Sequence, residues 1–242
     1  MSAAPDGLVL ALDTSTAVGS VALGEGDALL AETTVRVGTG HSAMLMPAVD
    51  ALFRALGRER EELAGVVVAG GPGSFTGLRI AAATAKGIAH ALHLPLWAYS
   101  GLLAAAAGCW SPGRHVCSLF DARHRDVFGA CYAFSDELAE LLPPAALTLD
   151  EVLGFFRDLT VQPLFTGDGA VRHRAEIEQE LGAAVAPLHL AGPRAATLLW
   201  LARALPERGF VADPAAWEPE YLRASGAERI AAQRAVDALS GR

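Results

Sequence analysis

The fold of this chain is decided by residues 8–37, LVLALDTSTAVGSVALGEGDALLAETTVRV, close to its N-terminus. An apolar run at 8–12 is stopped by a polar cluster at 13–16, and strand character resumes at 19–23. A glycine-rich turn then leads into a third alternating segment at 28–37. The stretch therefore predicts three consecutive antiparallel strands with a polar bend after the first.

Helices and buried strands follow this opening in alternation. We expect a helix over 42–56, a buried strand at 66–69, a glycine loop at 70–77 that opens a helix ending near 92, and a strand at 95–99. Helices alternating with strands after an antiparallel start indicate a mixed sheet flanked by helices. The predicted fold class is α/β.

The second half of the chain repeats this scheme less cleanly, which suggests an internal duplication. A cluster of Gly, Ser and Pro at 108–113 marks the boundary. It divides the chain into an N-terminal lobe, 1–108, and a C-terminal lobe, 109–242, whose tail we expect to pack back on the first lobe. In the second lobe we predict strands at 116–120, 126–134, 146–149, 164–166 and 184–187, and helices over 150–158, from the turn 167–169 to 181, and over 193–205.

Composition and charge exclude two classes of protein. The 242 residues are 52% hydrophobic, which supplies ample apolar material for a packed core and excludes a disordered chain. The 27 acidic residues outnumber the 19 Lys and Arg, and no basic run offsets the net charge of −8. Such a field repels a phosphate backbone, so a nucleic-acid-binding module is disfavoured, and we expect any RNA to be held by another subunit.

Cysteine usage and the apolar runs indicate a cytoplasmic protein. Cys109, Cys117 and Cys131 form no CxxC pair, which is typical of reduced, buried thiols. Residues 1–7 lack the basic segment of a signal peptide. The apolar runs also stop well short of the roughly 18 residues that a membrane helix needs. We therefore expect no membrane association.

Two turns are candidates for binding phosphate. Small hydroxyl residues and exposed amides at the bend 13–16 can point at an anion, and the loop 70–77 ends at a helix N-terminus. It is not a P-loop, because Leu78-Arg79 rather than Lys-Ser or Lys-Thr follows the last glycine. The alternative is that both turns only satisfy their own backbones, with Ser74 or Thr76 as the helix cap. The candidate nucleotide or phosphate residues are Asp13, Thr14, Ser15, Gly71, Gly73 and Ser74.

The loop 70–77 also belongs to a longer resemblance. GGPGSFTGLR at 70–79, continuing to AKG at 85–87, resembles the signature of the TsaB (YeaZ) family. Further matching stretches occur in the expected order over nearly the whole chain: LDTST at 12–16, DAR at 121–123, GDG at 167–169 and PEYLR at 219–223.

This resemblance implies a fold, a role and partners. The family is similar to the TsaD family, once described as glycoproteases, and shares its two-lobed, actin-like ATPase (ribonuclease H-like) fold. Its members associate with a TsaD-type catalytic subunit and, in bacteria, with a TsaE-type ATPase. The complex transfers threonylcarbamoyl to the adenosine beside the anticodon of tRNA. By this resemblance the chain is a non-catalytic scaffold or activator subunit, without a cofactor of its own.

The metal-binding pair of the sister family is incomplete in this sequence. TsaD-type subunits hold a metal with a His-x-x-x-His pair, whose spacing places both imidazoles on one helix face. The corresponding residues here are His41 and Leu45, so we expect no metal and a local hydrogen bond for His41. His90 and His93 have no third ligand nearby in the sequence and are not expected to chelate a metal either.

Two N-terminal helices carry more apolar surface than one buried face requires. The helix over 43–56 is apolar across roughly 220°, against about 100° for a helix that buries one face. The next helix is smooth with alanine. Either the rest of the chain covers this surface or a second subunit does. We predict a partner face that serves both an isologous homodimer and the TsaD-type subunit. Its residues are Leu45, Met46, Val49, Leu52, Phe53, Ile80, Ala83, Thr84, Gly87 and His90.

The rival function is an enzyme of the actin-like class, either a nucleotide-binding phosphotransferase or a metallopeptidase-like protein. No HExxH motif or nucleophile triad stands out. Asp13 and the loop 70–77 leave the phosphotransferase open. The stretches 121–123 and 167–169 are as compatible with structural turns as with a site.

Overall fold

The computed structural model describes residues 4–37, 40–123, 125–135, 138–157, 159 and 161–222. The elements of the first half are β1 (Leu8–Asp13), β2 (Val18–Glu25), β3 (Ala28–Arg36), α1 (His41–Leu56), a 3-10 turn (Arg60–Glu62), β4 (Leu63–Ala69), α2 (Phe75–Leu92), β5 (Leu96–Tyr99) and α3 (Gly101–Ala107). The second half contains β6 (His115–Asp121), β7 (Asp126–Phe134), β8 (Leu138–Thr148), α4 (Leu149–Arg157), β9 (Leu164–Thr166), α5 (Asp168–Arg172), α6 (Arg174–Leu181), α7 (Ala195–Ala204), α8 (Pro206–Gly209) and β10 (Phe210–Val211). Within these ranges, no helix combines the length and the apolarity needed to cross a bilayer.

The first sheet has the order β10-β5-β4-β1-β2-β3. Strand β1 pairs antiparallel with β2, which pairs antiparallel with β3, so the three-stranded opening predicted from the sequence is confirmed. The β2–β3 turn contains Gly26 at φ +57°, in the left-handed region that glycine enters without steric cost. Strands β4 and β5 then add in parallel on the other side of β1.

The second sheet, in the order β8-β7-β6-β9, repeats the order of β3-β2-β1-β4. Strand β6 is antiparallel to β7 and parallel to β9, just as β1 is antiparallel to β2 and parallel to β4. The strand predicted at 184–187 is wrong: it is a single bridge between Val185 and Phe165. One reason is that Pro187 has no N–H with which to continue the ladder.

The strand predicted at 146–149 is also wrong in its bounds. Strand β8 begins at Leu138 and stops at Thr148, because Thr148 and Glu151 form a reciprocal cap at the start of α4. The N–H of Glu151 donates to Thr148 Oγ1 at 3.2 Å, and the N–H of Thr148 donates to Glu151 Oε2 at 2.7 Å. The predicted end of this helix, Asp158, lies outside the described residues.

A layer of two helices, α3 and α7, separates the sheets. Every residue of α3 is buried, and α3 packs on β6, β7 and α7. Helix α7 packs on β1 and β2, and β10 adds to the edge of the first sheet beside β5. The chain after Ala195 therefore returns to the first sheet, and one core joins both sheets through the helical layer.

Helices α1 and α2 cover the outer face of the first sheet. Four residues of α1 that were predicted to belong to the partner face are buried there, so this part of the prediction is wrong. Leu45, Val49, Leu52 and Phe53 of α1 are at most 5% exposed, because they fill the core between this helix and the strands below it. They are therefore not surface residues. Met46 is 39% exposed. The remaining members are exposed (Ala83, Gly87, His90) or half-buried (Ile80, Thr84).

Candidate functional site

The β1–β2 turn and the glycine loop at 70–77 lie in direct contact. The N–H of Ser74 donates to the carbonyl of Ser15 at 2.7 Å, and the Thr14 hydroxyl donates to the carbonyl of Gly77 at 2.7 Å. A Cβ atom at Gly73 would collide with the Ser15 carbonyl, and one at Gly77 with the Thr14 carbonyl. These two glycines therefore allow the backbone of the loop to contact the backbone of the β1–β2 turn, which is a structural role.

This contact fills the space in which a phosphate was expected. Asp13, Thr14 and Ser15 are at most 1% exposed, and Ser74 caps α2 by accepting the N–H of Gly77 at 3.3 Å. Burial raises the pKa of Asp13 to about 6, against the opposing effect of hydrogen bonding from Ser15. The structure thus brings the predicted residues together but leaves Asp13, Thr14 and Ser15 without an open face. The interpretation of this turn as an open phosphate site is corrected accordingly.

A C-terminal segment, residues 213–222, crosses the glycine loop and α2; we call it the strap. The N–H of Glu220 donates to the Gly70 carbonyl at 2.7 Å, and a Cβ atom at Gly71 would collide with the Glu220 carbonyl. Lys86 Nζ donates to the carbonyls of Ala215 at 2.9 Å and Trp217 at 2.8 Å. The family stretch 219–223 thus lies in the strap up to Leu222, while Arg223 lies outside the described residues.

Aromatic contacts reinforce the attachment of the strap. The rings of Phe75 and Tyr221 lie 4.8 Å apart, and the Arg79 guanidinium lies 4.1 Å from the centre of the Phe75 ring. Trp217 lies against Gly70. No role for Trp217 or Tyr221 was predicted from the sequence, although Tyr221 lies in the PEYLR stretch that resembles the family.

His41 and His93 take structural positions at the ends of α1 and α2. His41 is 3% exposed, and its Nε2 lies 2.8 Å from the Thr16 carbonyl, so it fastens the start of α1 to the β1–β2 turn. Leu45, which occupies the position of a second ligand, belongs to the core. His93 ends α2 with φ +54°. Among the described residues no cluster of three or more His, Cys, Asp or Glu side chains could hold a metal.

The stretches 121–123 and 167–169 come together at the ends of two parallel strands. The N–H of Asp121 donates to Asp168 Oδ1 at 3.0 Å, and Arg172 binds Asp121 Oδ2 at 2.6 Å. Burial raises the pKa of Asp168. A Cβ atom at Gly167 would collide with the Leu119 carbonyl, so this glycine permits a close approach of backbones.

A cavity of about 560 Å³ lies between the end of the β1–β2 turn, at Thr16 and Ala17, strands β2 and β3, helix α5 and residues 188–194. The cationic side chains on its wall are Arg36, Arg172 and Arg194. Two of them are already paired, Arg172 with Asp121 and Arg194 with Glu32. Asp168 lines the same wall. The lining is therefore close to neutral and does not favour an anion such as a nucleotide phosphate.

A second cavity, of about 460 Å³, lies between the C-terminal half of α2 and the strap. The surface of α2 beside it is smooth, because Ala83 and Gly87 are exposed and a Cβ atom at Gly87 would meet nothing within 4 Å. This region is an exposed helical surface with a shaped depression beside it, which suits contact with another polypeptide.

Comparisons with known proteins agree with these features. Residues 36–231 match the family model "TsaD: tRNA N6-adenosine threonylcarbamoyltransferase". The Bacillus subtilis "tRNA threonylcarbamoyladenosine biosynthesis protein TsaB" is 33% identical over 229 residues, which cover 91% of this chain and 96% of the relative. The chain belongs to the TsaB family.

Solved structures support membership of the TsaB family and confirm the predicted fold class. A Pseudomonas aeruginosa crystal structure, of an uncharacterized protein with similarity to peptidase YEAZ, superposes with a TM-score of 0.73 at 26% identity. That match covers 90% of this chain and 100% of the other. The Escherichia coli TsaB protein is 32% identical over 126 residues, 51% of this chain and 54% of the relative. The repeated two-sheet architecture is the α/β, actin-like fold expected for the TsaB family.

Proposed function

We propose that this chain is a non-catalytic scaffold or activator subunit of the complex that transfers threonylcarbamoyl to the adenosine next to the anticodon of tRNA. Its partners would be a TsaD-type catalytic subunit, a TsaE-type ATPase and a second copy of itself. Contact with tRNA would be indirect, the location cytoplasmic, and no cofactor would be required. Membership of the TsaB family, whose Bacillus subtilis member is named a biosynthesis protein of this modification, supports the proposal.

The single observation that carries the proposal is the contrast between a buried β1–β2 turn and an exposed outer surface on α2. The β1–β2 turn, which the sequence offered as a phosphate site, is packed against the chain's own glycine loop, and Asp13 within it is buried. The outer surface of α2, by contrast, is exposed and free of bulky side chains at Ala83 and Gly87. A protein with a filled internal site and a smooth external helix is suited to bind another chain.

The partner face is now narrower than the sequence predicted. It consists of Met46 on α1 and of Ile80, Ala83, Thr84, Gly87 and His90 on α2. Small residues let a partner helix approach closely, so that many dispersion contacts form per residue. The strap borders this face and is fixed to α2 by Lys86.

Reconstitution tests the proposal directly. Purified TsaD-type and TsaE-type subunits are assayed for tRNA modification with and without this chain. We expect activity only when the chain is present, and none from the chain alone. Ala83→Glu should weaken binding to the TsaD-type subunit at least tenfold, because it places a charge within a desolvated contact.

The matched control is Ala184→Glu, at an exposed alanine of the second lobe, which should bind like the wild type. Two results would overturn the proposal: modification of tRNA by the isolated chain, or unchanged binding by the Ala83→Glu variant. Calorimetry with ATP and magnesium adds a further check, because tight binding with turnover would favour a phosphotransferase.

A further inference from the structure

Strand β3 forms a free edge of the first sheet. It is nine residues long and pairs only with β2, because the sheet order ends at β3. The N–H of Val37 donates to the carbonyl of Ala17 at 3.1 Å, and from this pair onwards residues opposite each other alternate between bonded and non-bonded pairs. Glu32, Thr34 and Arg36 are in non-bonded pairs with β2. Their backbone N–H and C=O groups therefore point away from the sheet.

The other three sheet edges among the described residues are protected against pairing. The opposite edge of the first sheet is β10, which has two residues. In the second sheet, β9 has three residues, and β8 contains Pro143 and Pro144, which carry no N–H. Strand β3 is long and contains no proline. It is therefore the edge on which an extended chain from outside can form a ladder of hydrogen bonds.

A cavity that can take a side chain lies beside this edge. The cavity of about 560 Å³ has Thr34 and Arg36 in its wall, together with the apolar residues Val18, Val171 and Leu188. Leu188 is 73% exposed. A strand added beside β3 would direct every second side chain to this face of the sheet. An apolar side chain at such a position would enter the cavity and remove Leu188 from water.

Charge at the end of the edge selects among extended chains. Of the three arginines in the cavity wall, Arg172 is paired with Asp121 and Arg194 with Glu32. Arg36 is exposed and has no ion-pair partner among the described residues. Since β3 ends at Arg36, an antiparallel strand begins opposite it. An acidic side chain near the N-terminus of that strand would therefore meet a free guanidinium.

From these observations we propose that β3 binds an extended segment of a partner polypeptide, which adds to the first sheet as an antiparallel strand along residues 32–36. The segment carries an acidic side chain opposite Arg36 and an apolar side chain in the cavity beside Thr34. Main-chain hydrogen bonds supply the affinity, and the two side chains supply the specificity. Helix α2 packs on β1, β4 and β5, away from this edge. The inference therefore goes beyond the partner face and does not depend on it.

Hydrogen exchange followed by NMR tests the pairing residue by residue. The probe is the acetylated, amidated peptide Glu-Thr-Val-Thr-Val-Thr, which places its acid opposite Arg36 and its first valine opposite Thr34. In the free protein the amides of Thr34 and Arg36 should exchange quickly, whereas the amide of Val35, in a bonded pair with β2, is protected. Saturating peptide should slow exchange at Thr34 and Arg36 at least tenfold and leave Val35 unchanged.

N-methylation of the probe separates strand pairing from simple apolar contact. Methyl groups on the two valine amides, which face β3, should weaken binding at least tenfold, because they remove donors from the new ladder. Methyl groups on the first two threonine amides face away from β3 and should leave binding unchanged, which makes this peptide the matched control. Equal binding of the two methylated peptides would overturn the inference. So would a lack of protection at Thr34 and Arg36 with about 1 mM peptide.

Charge reversal tests the role of Arg36. The wild type should prefer the glutamate peptide to one with lysine in its place, and Arg36→Glu should prefer the lysine peptide, each by about threefold, as for an exposed ion pair. Arg114→Glu, at an exposed arginine before β6, is the control and should keep the wild-type preference. An unchanged preference in a folded Arg36→Glu variant would contradict the inference. Protection of Thr34 that rises with protein concentration, without peptide, would identify a second copy as the occupant and would also overturn it.

Discussion

Glu32 on β3 accepts a hydrogen bond from Arg194 Nε at 2.8 Å, and this contact joins the edge of the first sheet to the start of α7. The same carboxylate accepts the N–H of Ala196 at 3.0 Å, and the Ser20 hydroxyl accepts the N–H of Ala195 at 2.9 Å. Side chains of two strands therefore cap a helix that lies more than 160 residues later in the chain. This cap fixes the helical layer between the two sheets.

Glu32→Ala should destabilise the protein by about 2–3 kcal/mol, because it leaves a helix N–H and Arg194 without their acceptor. The loss is no larger because the Arg194 side chain is 46% exposed, so water replaces part of the lost contact. Urea unfolding measures the change. Asp27→Ala, which removes an exposed partner of Arg203, is the control and should change stability by less than about 0.5 kcal/mol. Equal effects of the two substitutions would contradict the proposed cap.

The buried carboxyl of Asp13 should make stability depend on pH in a defined direction. Its pKa is about 6 in the folded protein, against the ordinary value of 3.8 for an aspartate side chain in water. The folded state therefore binds the proton more tightly than the unfolded state does. The contribution of Asp13 is most favourable below pH 3.8, falls as the pH rises to about 6, and is constant above that. The total loss is about 3 kcal/mol.

Asp13→Asn removes this dependence, because the amide keeps an oxygen for the N–H of Ser15 without carrying a charge. The variant should be more stable than the wild type above about pH 6, and the difference should vanish near pH 4. Urea unfolding at several pH values measures it, with Asp27→Asn as the exposed control. A difference that stays constant from pH 4 to pH 7 would show that Asp13 does not titrate as described.

Local patterns were sufficient to predict most of the fold. The opening strands and the β4–α2 unit each have a hydrophobic period and a turn that act within a few residues. Helix α3 was missed because its run of small apolar residues has no amphipathic period, and it is buried on all sides. Leu45 and Phe53 were predicted to lie on the partner face but lie in the core, for a related reason. The arc of a helix shows how much apolar surface it has, but not which neighbour covers that surface.

The arrangement of the site could not be predicted from local patterns, because it is formed by contacts between residues far apart in the sequence. Thr14 meets Gly77 across 63 residues, and Lys86 meets Trp217 across 131. The glycines of the loop 70–77 indicated that its backbone lies close to another group. Their spacing is equally compatible with a phosphate and with another stretch of the same chain. Only the folded structure distinguishes a phosphate from another stretch of chain, because it places the Ser15 carbonyl against Gly73 and the Glu220 carbonyl against Gly71.

Lys86→Met should release the strap while leaving the rest of the protein folded. The substitution keeps an apolar stem but removes two hydrogen bonds from a charged donor, and the freed carbonyls of Ala215 and Trp217 can then be hydrated. We expect a loss of about 1–2 kcal/mol and faster hydrogen exchange of the Glu220 amide, which bonds to Gly70. Arg60→Met, which breaks an exposed ion pair with Asp50, is the control. Unchanged exchange at Glu220 would show that Lys86 does not hold the strap.

The two glycines of α2 should respond to alanine in opposite ways. Gly77→Ala places a Cβ atom against the buried Thr14 carbonyl, so either the helix or the β1–β2 turn must move. We expect a loss of about 3 kcal/mol, at the upper end for overpacking, because the obstacle is backbone that cannot rotate away.

Gly87→Ala meets open space and replaces the weaker helix former, so it should gain about 0.5–1 kcal/mol. Thermal and urea unfolding of the pair, at concentrations low enough to limit self-association, measure both changes. The comparison cancels the intrinsic preference of a helix for alanine and leaves the contact of Gly77 with the turn as the difference. If Gly77→Ala were as stable as Gly87→Ala, the turn would not be packed on α2, and the closed arrangement around Asp13 would be wrong.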